Sequence, residues 1–324
     1  MRLWHFLAIG LALLAPASLG QDKVTIKSWP VPKGAAPHDV AADPKPGGLV
    51  YYTAQRQGAL GLLDPATGKV EQIPLGQGSA PHGVIVGPDG APWITDSGLN
   101  AIVRVDMATR QVKTWTLPTS TGYANLNTAT FDRKGRIWFT GQSGFHGRLD
   151  PASGKLDVWN SPLGRGPYGI ATTPSGDVYY ASLAGSHIAK VGLETGEATV
   201  IKPPTEGQGA RRVWSDSKGH VWVSEWNSGQ VSRYDPASAS WRVWKLPGEK
   251  PRTYSVYVDE ADKVWLTDWG ANAMVRFDPA KESFEIFPHE RRGANVRQML
   301  GRKGEAWAPE SAHDIITVYV FGGA

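Results

Sequence analysis

His38 and His82 each close an Ala-Pro-His step in this 324-residue chain. A neutral imidazole titrates near working pH and can take a proton from carbon or from water. The proline before each one narrows the backbone's approach. Arg211, Arg212, Arg252 and Arg297 fall in the second half of the chain. Their planar forks suit a carboxylate or phosphate. Asp96, Glu225, Asp268 and Glu310 are hard oxygen donors. They could hold Mg²⁺ or Ca²⁺ with water completing the shell, or pair with the arginines instead. Tyr168, Tyr254 and Asn127 add hydroxyl and amide groups. Several chemistries are set aside. Cysteine is absent, so there is no thiol nucleophile, disulfide or CxxC metal site. GxSxG, GxxxxGK[ST] and HExxH are also missing.

The elements that position these residues come from a repeat. An aromatic anchor recurs at Tyr51, Trp93, Trp138, Tyr179, Trp222, Trp265 and Trp307, about every 42 residues. Forms such as RIWFTG, VWVSEW and KVWLTDW surround it, and AIVRVD or AMVRFDP follows about eleven residues later. Each copy divides into four short apolar or alternating runs. In the second copy these are Gly83–Val86, Pro92–Thr95, Ala101–Val105 and Val112–Leu117, separated by turns such as GPDG. Four strands per copy, seven times, predicts an all-β, seven-bladed β-propeller. VTIKSWP at the start resembles a fourth strand without its first three, and DIITVYV at the end resembles a third strand. Pairing Val24–Trp29 with Ile315–Val320 would complete the last blade and leave no open edge at the seam.

The repeat also places the reactive residues. The start of strand one and the end of strand two share a face near the channel. The first set reads His38, His82, Asn127, Tyr168, Arg211, Tyr254 and Val296, with Arg297 beside the last. The second reads Ala54, Asp96, Gly141, Ser182, Glu225, Asp268 and Glu310. Varied polar residues on a uniform scaffold mark a binding or active site. From this pattern His82 and His38 are candidate bases. Arg211, Arg212, Tyr168, Tyr254, Arg297 and Asn127 are candidate substrate contacts. Glu310, Glu225, Asp268 and Asp96 are candidate ligands of Mg²⁺ or Ca²⁺. The alternative is a wet channel mouth whose charges pair across blades.

Composition agrees with an all-β domain: glycine (38), proline (24) and tryptophan (14) are abundant. The net charge of +4 is scattered, which gives no reason to expect nucleic acid as a partner. Residues 1–20 read as a secretory leader: Arg2, the apolar run Leu3 to Leu14, then the small residues of APASLG. The expectation is an exported, periplasmic or secreted protein with one propeller domain over 21–324. It should be a monomer without a membrane span, taking a small or anionic ligand at the channel mouth.

Segments such as APHGVIVGPDGAPWITDSGLNAIVRVD, GPYGIATTPSGDVYYASLAGSHIAKV and KVWLTDWGANAMVRFDP resemble the virginiamycin B lyase (streptogramin lyase) family across all seven copies. The resemblance implies a seven-bladed propeller. It also implies a carbon–oxygen lyase that opens the ester of a cyclic depsipeptide by Mg²⁺-assisted elimination. In that family the last blade opens on E-P-H-G, whose His takes the proton and whose Glu helps hold the metal. Here it reads GANVRQML, with Ala294 and Val296 near those places. Tyr254 replaces the histidine of the preceding blade, and Glu310 alone matches a metal ligand. A site rebuilt around His38, His82 and Asp96 is one reading. A metal-dependent lactone hydrolase and a non-catalytic ligand- or protein-binding propeller are the others.

Overall fold

A computed structural model describes residues 23–322. Seven four-stranded antiparallel sheets close into a ring, with two short 3₁₀ turns at Gln55–Gln57 and Thr119–Thr121. The protein is a seven-bladed β-propeller. The expected leader, residues 1–20, lies outside the described residues. Among those described, no helix is long and apolar enough to cross a membrane.

The first strands of the blades are Pro37–Ala42, Pro81–Val86, Leu126–Phe131, Pro167–Thr172, Ala210–Ser215, Thr253–Val258 and the short Leu300–Arg302. They pack against their neighbours around the centre. The seventh is short: Val296 pairs with Glu310 only through an isolated bridge, and regular pairing begins at Leu300.

The anchors hold because their polar edge is satisfied. In four blades one aspartate (Asp89, Asp132, Asp216 or Asp259) caps the turn between strands one and two and also receives the anchor's indole N–H. Asp132 accepts Lys134 N (2.9 Å), Arg136 N (3.0 Å) and Trp138 Nε1 (2.9 Å). Asp216 and Asp259 do the same for Trp222 and Trp265. A buried indole without such a partner would forfeit a hydrogen bond.

The seam closes as the repeat requires. Thr25–Pro30 pairs antiparallel with Ile315–Val320, from Thr25 opposite Val320 to Pro30 opposite Ile315. Trp29 stacks on Trp307 at 5.4 Å. Trp115, Trp159 and Trp244 stack in the same way on Trp93, Trp138 and Trp222 within their own blades. The N-terminal strand therefore supplies the packing residue of a true fourth strand.

Candidate active site at the channel mouth

Six first strands carry a register shift against strand two: between Pro37 and Val40, Pro81 and Gly83, Leu126 and Ala129, Pro167 and Ile170, Ala210 and Arg212, and Thr253 and Val256. Such bulges re-aim side chains and leave an amide without its ladder partner. A strand-two hydroxyl meets that amide in five blades: Thr53 for Asp39 N (3.0 Å), Thr95 for Gly83 N (3.0 Å), Thr140 for Thr128 N (3.4 Å), Ser224 for Arg212 N (3.0 Å) and Thr267 for Ser255 N (3.0 Å). Four of these hydroxyls donate onward to the carbonyl of the next blade's site residue, namely His82, Asn127, Tyr168 and Tyr254. Each site residue is thus tied to the preceding blade.

The bulges build two concentric rings. The first contains His38, His82, Asn127, Tyr168, Arg211 and Tyr254, as the repeat suggests, and in the last blade Arg297 in place of the expected Val296, which is buried in the core and bridged to Glu310. The second contains the residue after each: Asp39, Gly83, Thr128, Gly169, Arg212, Ser255 and Gln298. Gly169 must be glycine, because a Cβ there would lie 2.6 Å from Arg212 Cα. Sequence reasoning missed Asp39, Thr128, Ser255 and Gln298. The available signal was their position, one residue beyond each first-ring residue.

In the first ring the His38 and His82 rings lie 3.8 Å apart at 49°. His38 Nδ1 is 2.7 Å from Asp39 Oδ1, so its N–H donates there and Nε2 keeps the lone pair. Thr128 Oγ1 donates to Asn127 Oδ1 at 2.7 Å, which turns the Asn127 amide nitrogen toward His82 Nε2 at 3.2 Å. His82 is thereby held with its proton on Nδ1, a buried donor without a partner. Arg212 is fully buried in the second ring, where it bonds Thr128 and lies 3.5 Å from Asp39 Oδ1. It orients the His38–Asp39 dyad, although the repeat suggested a direct ligand contact.

Across the channel Tyr168 and Tyr254 share a 2.7 Å hydrogen bond, and Arg211 Nη2 donates to Tyr168 Oη at 3.0 Å. The Arg211 guanidinium lies 3.6 Å from the centre of the Tyr254 ring and 4.4 Å from that of Trp226. Trp269 stacks on Tyr254 at 5.1 Å and donates to Val296 O at 2.6 Å. Trp226 and Trp269 each follow a strand-two carboxylate directly, a place the repeat did not single out.

Burial and then the charges of Arg297, Arg212 and Arg211 hold His38 well below 6.5. Burial and the His38 charge do the same for His82. Both imidazoles are neutral at pH 7. Burial raises Asp39, with Arg212 opposing. Burial would raise Tyr254 too, but Arg211, Arg212 and Arg297 outweigh it and bring the phenol down to about 8.

Of the four carboxylates proposed as metal ligands, Asp96 and Asp268 are committed to neighbouring loops, and Glu225 and Glu310 are each half-satisfied. Asp96 accepts Ser79 Oγ, Ala80 N and Leu99 N, and Asp268 accepts Arg252 N and Gly270 N. Glu225 accepts Ser228 Oγ and Glu310 accepts Thr317 Oγ1, each leaving one oxygen without a hydrogen bond. Among the described residues, the group of three potential ligands brought within 4.8 Å is His38, Asp39 and His82. Two imidazoles and one carboxylate, beside three guanidiniums, do not make the all-oxygen cradle that Mg²⁺ or Ca²⁺ needs. Away from the site, His146 meets Gly196 O at 2.7 Å, His220 meets Asp216 at 2.8 Å and His313 meets Arg292 O at 2.9 Å, which are structural contacts.

The fold is shared with selenomethionine-substituted virginiamycin B lyase from Staphylococcus aureus. The TM-score is 0.84, over 92% of this chain and 99% of that one, at 20% identity. A streptogramin B lyase structure superposes with a TM-score of 0.84 over 92% and 98%, at 18% identity. Among curated proteins, a gluconolactonase from Zymomonas mobilis subsp. mobilis (strain ATCC 31821 / ZM4 / CP4) is 33% identical over 141 residues. That stretch covers 37% of this chain and 38% of that relative. Residues 17–241, well over half the chain, match the model of the virginiamycin B lyase family. By that match the chain belongs to the virginiamycin B lyase family.

Proposed function

We propose that the channel mouth is the active site of a carbon–oxygen lyase acting on an ester or lactone, with its base moved to blades one and two. The observation that carries this is the His38–Asp39 dyad packed on His82, beside arginines. His38 Nε2 takes the proton α to a carbonyl, and its electron pair becomes the carbon–carbon double bond. The β C–O bond breaks, and the acyloxy group leaves as a carboxylate. Charge that develops on the carbonyl oxygen meets the guanidiniums. The donor set favours arginine over Mg²⁺ in that electrophilic role. The leader-like residues 1–20 support action outside the cytoplasm, which N-terminal sequencing of the mature protein checks.

An O-acylthreonine peptide in ¹⁸O-labelled water tests the reading. Elimination yields a dehydro product without label, and His38→Ala lowers kcat/KM by roughly 10²-fold or more. The stretch related to a gluconolactonase favours a second reading, lactone hydrolysis. That reaction would place one ¹⁸O in the product. No turnover of esters or lactones would leave a binding propeller.

A further inference from the structure

Among the described residues, the two rings at the channel mouth hold three guanidiniums (Arg211, Arg212 and Arg297) and one carboxylate, Asp39. Asp39 lies against Arg212. Arg211 and Arg297 have no carboxylate within ion-pair distance among the described residues. Both rest on aromatic faces instead, in a run of contacts from Arg211 to Tyr254 (3.6 Å), Tyr254 to Trp269 (5.1 Å) and Trp269 to Arg297 (5.4 Å). An aromatic face steadies and desolvates a cation without neutralising it. Arg211 Nε and Arg212 Nε are buried without hydrogen-bond partners. Arg212 is buried and compensated by Asp39, whereas Arg211 and Arg297 are half-buried and keep an open, unneutralised side that an anion can complete.

We infer that the substrate carries a free carboxylate, received on the side of the channel mouth that Arg211 and Arg297 line, beside the His38–His82 pair. This rests on the lyase reading for the reaction but not for the binding. A planar carboxylate matches the guanidinium fork. A phosphate dianion would want several backbone amides as well, and the bulge amides of Asp39, Thr128, Arg212 and Ser255 already meet strand-two hydroxyls. The substrate class is therefore an acidic ester or lactone, in contrast to a neutral one. Tyr254, whose phenol those arginines hold down at about 8, reports occupancy. An anion placed beside them returns the proton to the phenolate.

The experiment uses the full chain at a pH near 8, with malonate, malonamide and inorganic phosphate as probes. Binding is followed by calorimetry and by absorbance at the tyrosinate wavelength. Malonate is expected to bind saturably and bleach the tyrosinate band, while malonamide does neither. Arg211→Gln and Arg297→Gln should each weaken malonate roughly tenfold or more. Arg211→Lys, which keeps the charge and loses the fork, should fall between. Near-UV circular dichroism confirms that each variant is folded. No saturable binding by about 50 mM malonate, equal affinity in the folded glutamine variants, or tighter binding of phosphate would each overturn the inference. Turnover of a neutral ester without malonate binding sinks this inference and spares the lyase. Binding without turnover does the reverse.

Discussion

Tyr168 and Tyr254 meet hydroxyl to hydroxyl at 2.7 Å although blade five lies between theirs, and Arg211 of that blade lies against both rings. The pair divides one electrostatic situation unequally. Burial and the Tyr254 charge push Tyr168 up to about 12, while the arginines overcome burial at Tyr254 and bring it to about 8. A pH titration of tyrosinate absorbance should show one residue ionising near 8. The step should vanish in Tyr254→Phe and move up in Arg211→Gln. Because the native phenol releases its proton before the unfolded one, stability should rise between about 8 and 10. Absence of any tyrosinate signal below about pH 9 would contradict this.

Asp39 and Arg212 are buried to 1% and 0% exposure and face each other at 3.5 Å. Removing either alone leaves a charge without its partner. Asp39→Asn and Arg212→Met should each cost about 3–5 kcal/mol in denaturant unfolding, and the double variant much less than their sum. Additive losses would show that the two groups do not interact.

Acid should destabilise this protein early. Burial is the chief cause holding His38, His82, His146, His187 and His289 below 6.5, and it takes His289 to about 4. The unfolded chain accepts protons that the native state refuses. Stability is therefore complete above 6.5 and falls as the pH drops, with up to about 1.4 kcal/mol per pH unit from each histidine. His289→Gln should flatten the slope of Tm against pH between about 6.5 and 4. An unchanged slope would remove His289 from the account.

Asp96 joins two loops, accepting from Ser79 Oγ and Ala80 N before strand one and from Leu99 N after strand two. Asp96→Ala should cost about 1–3 kcal/mol by leaving donors unpaired. Because Asp96 and Asp268 are committed and the ligands that converge among the described residues are His38, Asp39 and His82, about 10 mM Mg²⁺ should shift the Tm of the intact protein by less than about 1 °C. A large saturable shift would restore these carboxylates as metal ligands.

At the seam, Ser28 Oγ lies 2.9 Å from Thr317 Oγ1, and Thr317 donates to Glu310 at 2.8 Å. Deleting residues 23–30 removes the fourth strand and the Trp29–Trp307 stack. Light scattering should then reveal self-association through the exposed edge of Ile315–Val320. A monomeric, equally stable truncation would mean that ring closure does not depend on that strand.

The chain alone determined the ring. Anchors spaced about 42 residues apart, with period-two runs and turn signals between them, admit few architectures, and the incomplete ends named their own pairing. It also indicated His38, His82, Asn127, Tyr168, Arg211 and Tyr254 around one channel, because equivalent positions in equivalent blades must be neighbours, but it put Val296 where Arg297 stands. What those residues touch was decided only in three dimensions. A repeat reports where a side chain begins. The bulges in six first strands decide where it points. Asp39 and Arg212 lie 173 residues apart yet converge because their blades face each other across the channel. Asp96 and Asp268 turn back to cap local amides, because a short carboxylate finds its own turn before it can reach a distant ion. The same reversal left Arg211 and Arg297 on aromatic faces, with no carboxylate of the chain's own beside them.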